Sequence, residues 1–511
     1  MSTAPPASPD DIRDEKAGRD AEDRRFLNRG SAYMLLDNAS KVLEPLLVLL
    51  CARLYAGGDW GIFKYYESLT LLLTRLGSLG LDRGVVWMYS RCPDDEAFAR
   101  RFARAANLVL LASSALSAAL LLQGLGLLPD LGRWTDKVPE IPAGSLALFL
   151  ASVPVQALTL LFLQSFLNKR ALLPGLLVRN LVVPVVTYGP AAALAFTPWK
   201  GEGLALPYFL GNLIGLVTAA TWYRKLYSGR RVESAARGPR WPLSAAAGRD
   251  LLRFSLPIAS TDVFMSFAYR VDLLLLGRYS GIQAVEIYAV ITMISNTLRS
   301  FRQSFDGIVL SLFSSEGRES VSESQRRHFN YATWIVTTLQ LPFLFLALLF
   351  GEKLLGLVSP AYASGYRVLA IAVLFNLLIT PGAFSGQLLI GLGKTWFVPV
   401  AQACFFGTSL GLNLLLVPRY AAEGAAAATG MAHLLSGLVT FGGVWAFSGR
   451  FMLMPSYLRP MLTGLLILSV PAALHFTTRP GLLVDAAAFL AAVGLFTWHS
   501  RSCWRRFNAR D

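Results

Sequence analysis

Leu251-Leu-Arg-Phe-Ser-Leu-Pro257 opens an apolar run, Phe254 to Leu276, that ends at Gly277-Arg-Tyr-Ser-Gly-Ile-Gln-Ala-Val-Glu-Ile-Tyr288 and returns as a second run bearing Arg299, Arg302 and Asp306. Each run is long enough to cross a bilayer core of about 30 Å, for which about 20 apolar residues suffice. The stretch therefore reads as a membrane hairpin. Apolar runs of the same length recur from Ser31 to the C-terminus.

The composition agrees. Hydrophobic residues make up 54% of the 511 and charged ones 15%, where soluble domains average about 25% charged. The chain is expected to be an all-α polytopic membrane protein of about fourteen transmembrane helices. The spans fall near 31–54, 62–82, 105–128, 144–166, 173–196, 204–226, 252–276, 285–312, 330–350, 366–390, 396–417, 424–447, 457–476 and 480–499. The fifth is broken by Pro184 and Pro190, and Pro45, Pro154 and Pro381 also lie inside spans, as kinks or hinges. Residues 1–29 form a polar, densely charged tail expected to be disordered. The first apolar run contains Asp37, Lys41 and Glu44, so it is not read as a signal peptide.

The net charge of +15 could suggest nucleic acid. Its distribution argues against that. Of 47 Lys and Arg residues, 31 fall in alternate inter-span segments and ten in the intervening ones, including Lys64. By the positive-inside bias, both termini then face the cytoplasm. Cys51, Cys92, Cys404 and Cys503 are scattered and the four histidines lie far apart, so neither a disulfide framework nor a metal site is expected. Gly393-Lys-Thr395 has Leu388 where a phosphate loop needs glycine. No cofactor is expected. Short external loops and the lack of a catalytic triad or carboxylate pair speak against a membrane glycosyltransferase or polymerase; the chain is not read as an enzyme.

A repeat organises the chain. At a shift of 225, Arg53 falls on Arg278, Ile62 on Ile287, Phe63 on Tyr288 and Asp37 on Asp262. Trp199-Lys-Gly-Glu-Gly-Leu-Ala205 resembles Tyr420-Ala-Ala-Glu-Gly-Ala-Ala426 at a shift of 221. An even number of spans separates the copies, so they run parallel. The expected organisation is an N-terminal six-helix lobe (30–227), a basic cytoplasmic linker (228–250), a C-terminal six-helix lobe (251–449), a helix pair (450–500) and a cytoplasmic tail (501–511).

Three stretches carry a family resemblance. They are Arg53-Leu-Tyr-Ala-Gly-Gly-Asp-Trp-Gly-Ile-Phe63 with Gly80-Leu-Asp82, Leu251 to Pro257 with Arg270-Val-Asp-Leu-Leu-Leu-Leu-Gly277, and Leu412-Asn-Leu-Leu-Leu-Val-Pro418 with Glu423-Gly-Ala-Ala-Ala-Ala428. In order and spacing they resemble Wzx-type polysaccharide-unit flippases, within a superfamily that also holds MATE drug exporters and lipid II flippases. The turn Arg419-Tyr-Ala-Ala-Glu-Gly424 departs from the commonest pattern in lacking a mid-turn glycine. The resemblance implies two V-shaped lobes, and passage of a lipid-pyrophosphate-linked oligosaccharide from the inner to the outer leaflet of a bacterial cytoplasmic membrane. It also implies a monomer that works beside membrane lipids and polysaccharide polymerase or export proteins. A MATE-type cation antiporter and a lipid II flippase are the alternatives.

Ionisable groups inside spans cost about 2.5–3.5 kcal/mol each at mid-depth, so they face a cavity or one another. Asp37, Lys41 and Glu44 share one helical stripe, and Arg299, Arg302 and Asp306 another. The resemblance places spans one, two, seven and eight around the central cavity. Lys41, Arg75, Arg270, Arg299 and Arg302 are therefore the candidate contacts to pyrophosphate or acidic sugars, and Asp37 and Asp262 the candidates for charge balance or coupling. The six intramembrane bases are matched by six acids, Asp37, Glu44, Glu67, Asp262, Asp272 and Asp306, which fits structural pairing equally well.

Overall fold

A computed structural model describes residues 43–55, 57–89, 95–125, 141–169, 171–227, 263–315, 321–394, 396–478 and 481–508. Among them every element is helical. Helix α1 covers 43–54, α2 Asp59–Ser78, α3 Leu81–Tyr89, α4 Asp95–Gly124, α5 Ala143–Asn168, α6 Leu172–Leu177, α7 Val183–Leu194 and α8 Ala205–Tyr227. After the linker come α9 (263–268), α10 Val271–Ser280, α11 Ile282–Ser315, α12 Glu323–Val358, α13 Tyr366–Ile379, α14 Ser385–Gly391, α15 Phe397–Ser448, α16 Pro455–Thr478 and α17 Leu482–Asn508.

Nine of the described helical stretches are long and apolar enough to cross a membrane. One of them, α15, is two crossings. A straight helix of its 52 residues would run about 78 Å. Instead the backbone turns at Ala421 (φ 47°, ψ −127°), and the Ser436 hydroxyl donates to the Ala401 carbonyl 2.9 Å away. Helix α2 falls outside this set because it carries Asp59, Lys64, Glu67 and Arg75, whereas α11 opens with a shorter apolar stretch, Ile282–Asn296, and carries Glu286, Arg299, Arg302 and Asp306. With these two, and with α1 and α9–α10, the described helices account for the expected fourteen crossings.

Helices α2 to α8 pack on one another with α5 in contact with α2, α3, α4 and α8. The hydroxyls of Ser152, Thr159 and Ser165 on α5 donate to carbonyls three or four residues back. A helix can bury them in an apolar setting for that reason. Helices α10 to α17 form a second packed set, and α2 meets this set at α10 and α11.

Several spans are broken where continuous helices were expected. The second stops at Leu79 (φ 51°) and Gly80 (φ 66°) and restarts as α3. The seventh, expected as one helix from Phe254 to Leu276, is interrupted in its described part at Tyr269–Arg270, where Arg270 takes φ −131° and its amide bonds back three residues to Phe267. The tenth yields to a 3₁₀ turn, Thr380–Gly382, at Pro381. In the fifth, a π-helical turn over Val178–Val182 precedes Pro184, which has no amide hydrogen to keep the regular ladder.

Candidate functional site

Four of the predicted site residues lie in the described structure; Lys41, Asp37 and Asp262 lie outside the described residues. Arg75 is on α2, Arg270 at the break before α10, and Arg299 and Arg302 on α11. Depth follows from helix rise. Arg270 is ten residues from the end of α10, about 15 Å, and Arg299 and Arg302 are about 20–24 Å along α11 from Glu286. Arg75 stands about 25 Å along α2 from Gly58. The cations thus run from mid-depth toward one end of the bundle.

Their partners differ. Arg75 Nη1 lies 3.3 Å from Asp82, a carboxylate 1% exposed at the start of α3, while the arginine side chain keeps 32% of its surface. The break at Leu79–Gly80 lets α3 present Asp82 to Arg75. Arg302 donates to the Ala383 carbonyl at 3.1 Å and more weakly to Asp306 at 3.4 Å. That carbonyl follows the 3₁₀ turn at Pro381, so the broken tenth span anchors a cation. Arg299 donates to His433 Nε2 at 2.8 Å and to Asn296 Oδ1 at 2.5 Å, with its guanidinium carbon 5.6 Å from the centre of the Tyr269 ring. The Arg270 side chain has no hydrogen bond or ion pair among the described residues; Glu67, Tyr208, Asp272 and Arg75 are the titratable groups close enough to act on it. Asp272 is engaged elsewhere, accepting from Tyr288 Oη at 2.6 Å and Thr429 Oγ1 at 3.1 Å.

The other end of the bundle is fastened. The Glu286 carboxylate accepts from the amides of Gly58 at 2.6 Å and Gly57 at 3.3 Å, and from Tyr362 Oη at 2.7 Å. The Ala52 carbonyl lies 2.9 Å from the same Tyr362 hydroxyl and shares its single proton. Gly57 and Gly58 have φ of 125° and 119°, a region glycine enters freely, which aims both amides at one carboxylate. A Cβ on Gly61 would collide with the Ile282 carbonyl and the Glu286 side chain, so α2 and α11 touch backbone to backbone here. One carboxylate therefore ties the turn after α1, the start of α11 and the turn before α13.

Lys64, counted with an inter-span segment although the expected second span opens at 62, lies inside α2, which begins at Asp59. Its ammonium sits 2.6 Å from Glu67 Oε2 and 3.3 Å from Tyr188 Oη, and 5.1–5.6 Å from the ring centres of Trp60, Phe63 and Tyr188. This caged cation is satisfied by its surroundings. Arg179 is an exposed side chain on the π-helical turn. No group of three or more potential metal ligands occurs among the described residues. Sequence reasoning missed Glu286, Tyr362, Asn296 and His433. Glu286 was legible as an acid at the edge of a span; the others gain their roles only from tertiary contacts.

Residues 27–310 match the family model described as "Polysaccharide biosynthesis protein". The chain belongs to that family. The polysaccharide biosynthesis family falls within the multidrug/oligosaccharidyl-lipid/polysaccharide exporter superfamily. No curated protein matches the sequence. Among solved structures, the fold is similar to the lipid II flippase MurJ in an inward closed conformation (TM-score 0.68, 13% identity, 91% of this chain and 98% of that one). It is also similar to an inward-facing multidrug resistance MATE transporter (TM-score 0.60, 14% identity, 80% and 98%). A third is a superfamily transporter from Pyrococcus furiosus whose binding pocket is described as reversed in polarity (TM-score 0.52, 15% identity, 82% and 95%). At these identities the likeness is one of fold. The chain is a multi-pass membrane protein of a transporter superfamily.

Proposed function

We propose that this protein carries a polyprenyl-pyrophosphate-linked oligosaccharide from the inner to the outer leaflet of a bacterial cytoplasmic membrane, by alternating access between two six-helix lobes. One observation carries the reading. Arg270 and Arg299 sit inside the bundle without a carboxylate partner at bonding distance among the described residues, beside the partly paired Arg75 and Arg302. Guanidiniums without a bonded carboxylate at membrane depth are expensive, and a bidentate phosphate ligand is what a planar guanidinium fits best. A cationic cargo would be repelled by the same set, which weighs against drug export.

The charge asymmetry of the loops supports cytoplasmic termini, so the Glu286 end faces outward. The latch there would then close the outer side, as expected of the inward-facing state named for the MATE structure it resembles. The cations, strung from mid-depth toward the inner end, would take the headgroup as it enters, and release of the latch would open the outward path. Asp37 and Asp262 would balance charge in that cycle, and Lys41 would join the cationic set.

Mass spectrometry of polyprenyl-linked glycans from a deletion strain tests the reading. Accumulation of one lipid-pyrophosphate oligosaccharide, with loss of a surface polymer, is expected. Unchanged lipid intermediates with an intact polymer would overturn it.

A further inference from the structure

We infer that His433 is a positioning residue for Arg299: as a neutral acceptor it aims the guanidinium while leaving its positive charge whole for a phosphate-type anion. The inference rests on the reading of Arg299 as an anion contact. A guanidinium has only donors, so in the 2.8 Å contact His433 Nε2 accepts and the ring proton sits on Nδ1. The second contact, Asn296 Oδ1, is also neutral. The contrast lies in the same cluster: Arg75 is tied to Asp82 and Arg302 to Asp306, each partly neutralised, whereas among the described residues both bonds that orient Arg299 come from uncharged groups.

The imidazole is itself fixed. It stacks on Phe405 with ring centres 4.3 Å apart and planes 27° from parallel, and lies 5.8 Å from the Tyr269 ring. Tyr269 in turn lies 5.3 Å from Phe405 and under the Arg299 guanidinium. Phe405 is 1% exposed, so the stack is anchored in the packed second set of helices. Tyr269 reaches it because the seventh span breaks at 269–270. A carboxylate in place of His433 would orient the guanidinium equally well and cancel the field that attracts the ligand. A ring that supplies one acceptor and no charge separates aiming from neutralising.

The test uses full-length protein in detergent with farnesyl pyrophosphate as the probe, farnesol as the control, and thermal unfolding to check folding of each variant. Arg299→Ala should weaken farnesyl pyrophosphate binding at least tenfold and leave farnesol unchanged. His433→Gln, which keeps a neutral acceptor, should bind within about threefold of wild type. His433→Glu should bind at least tenfold more weakly at equal thermal stability. A merely structural histidine would make Gln and Glu behave alike, and equal binding by the two overturns the inference. Wild-type binding by Arg299→Ala would overturn the underlying site reading as well; loss in Arg299→Ala with no Gln–Glu difference overturns the role of His433 alone.

Discussion

Removing the Glu286 carboxylate should unfasten the end of the bundle that it closes. The side chain accepts three bonds, from Gly57, Gly58 and Tyr362. Hydrogen bonds to a charged group contribute about 1.5–3 kcal/mol each, and water replaces part of that when the end opens. The 3.3 Å bond to Gly57 is the weakest, and the packing of Gly61 against Ile282 survives the substitution. Glu286→Ala is therefore expected to lower the preference for the closed state by about 2–4 kcal/mol, a shift of roughly 30- to 1,000-fold in the open-to-closed ratio. Trp199 and Leu357 are 72% and 71% exposed, so spin labels there disturb little packing. In a cysteine-free background, double electron–electron resonance between them should show one short-distance population for Glu286 protein and a second, longer one for Glu286→Ala. Glu286→Gln, which retains one acceptor oxygen, should fall between. Superimposable distance distributions for all three would refute the latch.

Other consequences are equally open to measurement. Arg299→Ala/Arg302→Ala should abolish export of the surface polymer with membrane levels of the protein unchanged; normal export would remove both residues from the path. Gly61→Val should push α2 from α11 and shift the same spin-label distances toward the open population, since its side chain would meet the Ile282 carbonyl and Glu286. Lys169, just past α5, lies 2.6 Å from Asp95 and over the rings of Tyr89 and Tyr227. Burial opposes its charge, but the Asp95 carboxylate and the Tyr89 hydroxyl outweigh that and hold its pKa above the ordinary lysine value. A lysine whose pKa rises on folding contributes stability that is complete below its unfolded value and fades only as pH climbs through the raised one. Lys169→Met should thus lower thermal stability by the same modest amount, about 1 kcal/mol or less, at pH 6 and pH 8, and the difference should vanish only in strong alkali.

Periodicity and loop charge were enough to lay out the crossings, because burying twenty apolar residues in lipid is a signal that tertiary context seldom reverses. They were not enough to find the interruptions. Pro381 was visible as a breaker, and the 3₁₀ turn it causes frees the carbonyl that holds Arg302. Leu79 in a left-handed conformation and the break at Arg270 carry no propensity signal; packing imposes them. Lys64 was counted with a loop because a lysine at the edge of a span reads as solvated; inside α2 the Glu67 carboxylate and the Trp60, Phe63 and Tyr188 rings make its ammonium tolerable. Arginines within spans were legible as candidates, since charge at membrane depth demands a reason. Their discrimination was not: Arg75 and Arg299 look alike in sequence, and only the neighbours contributed by α3 and α15 separate a paired cation from an unpaired one.

Flipping requires that a lipid-pyrophosphate headgroup move between leaflets. Its most direct test is a vesicle assay with the purified full chain and a fluorescent polyprenyl-pyrophosphate oligosaccharide, scoring the fraction of label open to a membrane-impermeant glycosidase over time. Transfer should depend on the protein, be lost in Arg299→Ala/Arg302→Ala and be slowed when Gly57 or Gly58 is cross-linked to the start of α11. Transfer no faster than in empty vesicles, under conditions where the same protein moves a cationic drug, would contradict it.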